Sequence, residues 1–276
     1  MGAVVRLIVN ADDFGASAAV NAGVARGHTD GIITSASLMA GGAGFDGALR
    51  LLDGLPTLGV GVHLTLVGGA PVLNQAAAPT LIDDAGRLPR SAAQFARRYF
   101  GGKILLKDVR AELAAQMARV RDAGVRITHI DSHQHLHNFP GAADIALALA
   151  KEFGVGAGRS SRVALSPIRR GWLGRQLILR LCAEAFAAKA GRAGWKLPDG
   201  LLGQEWAGAL DAGRLVRLIS GMKEGTWELL CHPAAAPDAG APPGYDRVGE
   251  LAALTAPEVR AALEERGVRL INFAAL

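Results

Sequence analysis

Cysteine is almost absent from this chain. Its 276 residues hold two, Cys182 and Cys231, with no second cysteine near either. That count excludes a disulfide scaffold, and no CxxC pair is present to hold zinc or shuttle electrons. The expectation is a reduced, cytoplasmic chain. Aromatic residues are also sparse, at 5%. That is too few for the stacking platforms that bind single-stranded nucleic acid, so no nucleic-acid partner is expected. No uncharged apolar run reaches the ~18 residues of a membrane-spanning helix. The opening stretch MGAVVRLIVNADDFG lacks the apolar core and cleavage site of a signal peptide. What is present is ordinary for a folded protein: 50% hydrophobic residues, 20% charged, a net charge of +5 and a pI near 9.6. The mildly basic balance suits an anionic membrane or an acidic substrate.

Strand-like and helix-like patterns alternate along the chain. Short β-branched or apolar runs at 4–9, 32–39, 58–66, 125–131, 160–165, 227–231 and 268–273 read as strands. Helical patterns fall at 15–28, where Ser17 is a candidate N-cap, and at 44–52, 107–123, 141–153, 172–189 and 257–266. In 107–123, Val109, Leu113, Met117 and Val120 recur at helical spacing, with charges expected opposite. This order implies a mostly parallel sheet with helices outside it. We expect one domain spanning 1–276, a distorted (β/α) barrel of about seven parallel strands; a doubly wound open sheet is the alternative. Long loops are expected near 68–90, 166–207 and 233–245.

The residues that carry chemistry fall just after expected strands, the end where β/α barrels place their active sites. Asp12 and Asp13 follow the first strand. Adjacent carboxylates repel unless a cation or proton lies between them; the structural alternative is a turn. His63 sits in GVGVHLTL, where an imidazole among apolar neighbours needs a partner. DSHQHLH, residues 131–137, places three histidines in five residues. In an extended segment His133, His135 and His137 share one side. Asp131 can orient a ligating histidine. His232 follows the strand WELLC and is a candidate proton donor. Catalytic metal sites use three protein ligands and keep one position open. Asp13, His63 and His133 make such a set, with Asp12 left as base and His232 as acid. GGAGFDG matches GxGxxG, but no acidic residue follows about 20 positions on, so packing explains it better than dinucleotide binding. From Ser166 to Lys196, seven cations face one acid, Glu184, with apolar residues interspersed. This reads as a candidate surface for anionic lipid or as a barrel-covering helix with a basic outer face.

NADDFG, GVHLTL, DSHQHLHNFP and the late CHP, in this order and spanning most of the chain, resemble the YdjC-like carbohydrate deacetylases. The loop GGAPVLNQ…LIDDAGRLP is similar to the branch associated with hopanoid biosynthesis. The resemblance implies a distorted β/α barrel and one divalent metal ion, Mg or Zn. It also implies removal of acetyl from an N-acetylated sugar. By position it assigns Asp13, His63 and His133 to the metal, Asp12 to the catalytic base and His232 to the late strand-end histidine. Arg159, in GAGRSSR, and His135 fall on the substrate side. A glycolipid substrate and peripheral contact with the inner membrane surface through 166–196 complete the expectation. The alternatives are a deacetylase of soluble chitooligosaccharides, a non-catalytic glycan- or lipid-binding protein with a metal site, and a metal phosphoesterase.

Overall fold

The structure, a computed structural model, describes residues 4–162 and 173–276. Chain order begins β1 (Val5–Phe14), α1 (Ala18–Thr29), β2 (Ser35–Leu38), α2 (Phe45–Leu52) and β3 (Gly59–Leu64). It continues with α3 (Ala92–Phe100), α4 (Leu106–Asp122), β4 (Ile127–Ser132), α5 (Ala142–Glu152), α6 (Leu173–Arg192) and β5 (Gly200–Leu202). The chain ends with α7 (Ala212–Ser220), β6 (Gly225–Cys231), α8 (Arg247–Leu254), α9 (Pro257–Glu265) and β7 (Arg269–Leu270).

The strands pair in parallel, in the order β4-β3-β2-β1-β6-β5, with β7 beside the start of β1. β1 is central and buried along nearly its whole length, as expected of a strand with helices outside and side chains on both faces. Main-chain bonds then join the two edges of the curled sheet. Ile130 N–H donates to Ala157 O, and Arg159 N–H to Ile130 O. Lys196 N–H donates to Gly156 O, and Leu201 N–H to Arg162 O. Residues 156–162 thus stand between β4 and β5 as an irregular stave, completing a distorted barrel. Of the strand expected at 160–165, residues 160–162 belong to this stretch, and residues 163–165 lie outside the described residues.

Ser17 caps α1, its side chain accepting from Val20 N–H at 3.2 Å. On α4, Val109, Leu113, Met117 and Val120 are buried as their spacing demands. The expected polar opposite face of α4 is not wholly solvated. Asp108, Glu112 and Gln116, four residues apart, are also buried and serve the insertion after β3. Glu112 accepts N–H groups from Val72 and Leu73, Gln116 bonds both main-chain groups of Thr65, and Asp108 accepts from Thr80. The insertion is therefore tied down despite its lack of regular structure. The expected long loop at 166–207 contains α6 and β5. No helix among the described residues is long and apolar enough to cross a membrane.

Candidate active site

β1 carries the first two carboxylates, and its backbone explains how both serve one site. Strand side chains alternate faces, but the pairing of β1 with β2 shifts register between Ala11 and Phe14. Asp13 there has φ of 62°, in the left-handed region that non-glycine residues seldom occupy. Such outliers collect at functional sites. The bulge lets Asp12 and Asp13 each come within reach of His63.

β3 and β4 supply the next pair. His63 and Asp131 are register partners across the two strands, and His63 Nδ1 lies 2.8 Å from Asp131 Oδ1. That contact fixes the imidazole, leaving Nε2 3.6 Å from Asp13 Oδ1. The turn after β4 brings His133 Nδ1 to 3.2 Å from the same oxygen. One carboxylate oxygen and two ring nitrogens thus gather from three strand ends. The potential donor atoms of Asp13, His63 and His133 lie within 4.8 Å of one another. Their chemistry, two imidazoles and a carboxylate with one histidine oriented by a further carboxylate, fits a divalent ion. Asp12, His63 and Asp131 form a second compact group, but Arg159 already bonds both of its carboxylates, so the first group suits a cation better.

Around this trio the charges are matched. Arg247 Nη2, from the first turn of α8, donates to Asp13 Oδ2 at 2.6 Å. Burial works to raise the Asp13 pKa, but His133, His232 and His63 hold it well below the usual carboxylate range. Burial works against a charge on His63, yet Asp131, Asp12 and Asp13 push it up to about 9.

Beneath the trio lies a buried polar core. Arg159 is completely buried. Its Nη1 and Nη2 hold the two oxygens of Asp12 at 2.8 and 2.6 Å. Nη1 also lies 3.0 Å from Asp131, and Nε donates to Glu228 at 2.8 Å. Burial opposes ionisation of Asp12, but Arg159 keeps its pKa lowered. Burial pushes Glu228 up to about 8, so it is protonated at neutral pH and Arg159 faces two anions rather than three. Ser37 donates to Asp131 at 2.9 Å, and Asn10 Nδ2 donates to both Asp12 and Ser37.

Two expectations need correction. The histidines of 133–137 do not share one side. The segment is a tight helical turn in which Gln134 and His135 have φ of 54° and 57°, so strand alternation does not apply. His133 joins Asp13 and His63, whereas His135 and His137 lie by Ser161. Arg159 is not placed to touch a substrate either: it has no exposure, and carboxylates engage all three nitrogens. His232 stands at the end of β6. Its main-chain N–H donates to Glu250 at 2.6 Å, its ring packs on Tyr245, and its buried Nδ1 has no hydrogen-bond partner among the described residues.

The sequence reading passed over Arg247, Glu228, Ser37 and Asn10. Glu228 had a signal, a carboxylate inside the otherwise apolar strand TWELLC. Arg247 had none, since nothing local ties GYDRVGE to a residue 234 positions away.

The chain is similar to known proteins along almost its whole length. Residues 6–265 match the model of the YdjC-like protein family. A carbohydrate deacetylase of Brevibacillus brevis is 33% identical, covering 98% of this chain and 99% of its own. A chitooligosaccharide deacetylase of Serratia marcescens is 33% identical over 97% of each. A crystal structure from Enterococcus faecalis V583, of a protein provisionally named for cellobiose-phosphate cleavage, superposes with a TM-score of 0.79. It is 29% identical and covers 99% of this chain and 98% of its own. The fold, the motif-bearing strand ends and these full-length likenesses lead to one conclusion: the chain belongs to the YdjC-like family.

Proposed function

We propose that this chain, acting as one domain, is a metal-dependent carbohydrate deacetylase that removes acetyl from an N-acetylated amino sugar, releasing acetate and a free amine. The observation that carries the reading is the placement of a possible metal triad, Asp13, His63 and His133, against a separate carboxylate, Asp12, clamped by Arg159. Relatives named carbohydrate deacetylase and chitooligosaccharide deacetylase support the substrate class.

When bound, a divalent cation supplies Lewis-acid polarisation of the acetamide carbonyl and a lowered pKa for water. Asp13, His63 and His133 would hold it. To ligate a cation, His63 would have to present its Nε2 without a proton. Asp12 is the base. A carboxylate offers about four lone-pair directions, and Arg159 and Asn10 fill three of those on Asp12. The remaining one, on Oδ2, accepts the proton of the attacking water. Because Arg159 grips both oxygens, the base cannot swing away, which is a positioning role. His232 delivers a proton to the leaving amine.

The finer reading is a glycolipid of the hopanoid-associated type, met at the inner membrane surface, with His135 on the substrate side. Of the basic segment 166–196, the structure describes α6, which exposes Leu177, Leu181 and Arg180; Arg169, Arg170 and Trp172 lie outside the described residues. Imidazole ligation favours zinc by affinity, while abundance favours magnesium. The test offers an N-acetylglucosaminyl lipid and di-N-acetylchitobiose side by side and measures acetate. Release from the lipid alone supports the glycolipid reading; release from the sugar alone keeps deacetylation and removes the lipid. Release from neither, with metal present, overturns the proposal.

A further inference from the structure

A second surface feature lies at the junction of α3 and α4. α3 ends at Phe100, and a short turn leads into α4. Phe100 is 72% exposed, and Leu105 and Leu106 next to it are 44% and 39% exposed. Isolated exposed leucines are ordinary; a phenylalanine this exposed, five and six residues before two of them on one turn, makes an apolar tip. Its base is rigid. Tyr99, Phe100 and Phe139 pack ring against ring at 5.3–5.5 Å, and the backbone at Gly141 lies against Leu106 and Tyr99.

The exposed charges of the segment that forms this patch, residues 92–107, are all positive. From Ala85 through Lys107 there are six cations and no acid. Arg87 pairs with Asp83, and Arg98 turns inward to Thr80 O. Arg90, Arg97, Lys103 and Lys107 are exposed and take part in no ion pair among the described residues. Apolar side chains at the tip of a cationic collar are the pattern that seats a protein in an anionic bilayer, with rings in the headgroup region and ammonium groups on the phosphates. The same charges oppose pairing of this face with a second copy of the chain.

We infer that the α3–α4 tip, with Phe100, Leu105 and Leu106 beside the cations Arg97, Lys103 and Lys107, docks the protein reversibly on anionic lipid. The surface is separate from α6, and the inference does not depend on the deacetylase reading. Its position is apt for that reading, however. Phe139 closes the turn that begins at His133, and Ala92 N–H, at the start of α3, donates to Gln134 of the same turn at 3.1 Å. A protein seated on this tip holds the metal-side turn close to the bilayer.

The test is co-sedimentation of the full chain with vesicles of phosphatidylcholine alone, or with roughly one-third phosphatidylglycerol. We expect pelleting with the anionic vesicles only, lost in about 0.5 M salt. Lys103→Glu with Lys107→Glu weakens binding at least ~30-fold, since each basic residue contributes about fivefold. Phe100→Ser weakens it about tenfold through the lost apolar contact. A charge-matched control, Lys223→Glu with Arg269→Glu at the opposite barrel end, stays within about twofold if the tip is the docking site. Unchanged thermal unfolding shows that each variant is folded. No pelleting of the wild type overturns the inference. So does equal loss in the control pair, or Phe100-dependent self-association without vesicles, which makes the tip an interface between copies.

Discussion

Arg159 shows most clearly how this site is built from single side chains. With Asp12, Asp131 and Glu228 around it and no exposure, it is a bidentate clamp and not a substrate contact. Arg159→Lys keeps the charge and loses the planar fork. The expected result is a fall in kcat of about 100-fold with KM nearly unchanged, the pattern of a misplaced base. A raised KM with intact kcat instead marks a substrate contact. Asp131 acts through His63. Asp131→Asn should weaken metal binding about 10–100-fold by calorimetry, because the imidazole loses the partner that fixes its orientation. An unchanged metal affinity contradicts that role. At this scale the sequence was informative where chemistry follows strand ends, as at Asp12, Asp13, His63 and His133. It was silent where charge is matched from afar, as at Arg247. The histidine run misled because side-chain direction depends on backbone angles, and Gln134 and His135 adopt positive φ.

Elements were legible in proportion to their regularity. β1, β3, β4 and β6 are apolar runs, and α4 has an unbroken helical stripe, so their positions follow from periodicity. β1 runs further than its apolar start, because pairing with β6 carries through Asn10 and Ala11. The stave at 156–162 was legible only at its end, in the strand expected at 160–165, since glycine, serine and arginine give a weak strand pattern; the three-residue β5, Gly200–Leu202, fell inside the expected long loop. α4 does two jobs, with one stripe packing the core and a second, Asp108–Glu112–Gln116, anchoring the insertion at 65–91. Glu112→Ala leaves the Val72 and Leu73 N–H groups without acceptors. The expected cost is about 3 kcal/mol in denaturant unfolding, with faster tryptic cleavage at Arg87 or Arg90. Unchanged cleavage shows that the insertion is held elsewhere. Gly61 illustrates the tolerance inside the barrel: a Cβ there would stand 2.4 Å from the His129 ring, which stacks on Phe273 at 3.9 Å.

For the whole molecule, the buried titratable groups set the pH range of stability. Burial pushes His129 down to about 4 and His137 down to about 3. Each is neutral when folded and takes up a proton on unfolding below about pH 6.5. Stability therefore falls as the solution is acidified from that point, by about 2 kcal/mol per histidine at pH 5. Glu228 and His63 have the opposite sign. Both bind protons more tightly when folded, so their contribution is lost as pH rises towards about 8 and about 9. Between about pH 5 and 6.5 these two histidines, with His135, which burial also pushes down to about 3, outweigh Glu228. The metal-free protein should therefore unfold at its highest temperature near pH 6.5, and His129→Gln should flatten the acid limb. A Tm that keeps rising from pH 6.5 to 9 contradicts this assignment.

The most direct measurement is acetate released from N-acetylated sugar by wild-type protein and Asp12→Asn, with the metal content of each determined alongside. Comparable metal in both, with a fall in acetate release of at least about 100-fold in the variant, is the predicted result. Comparable metal with most of the activity retained contradicts the assignment of Asp12 as the base and, with it, the central claim.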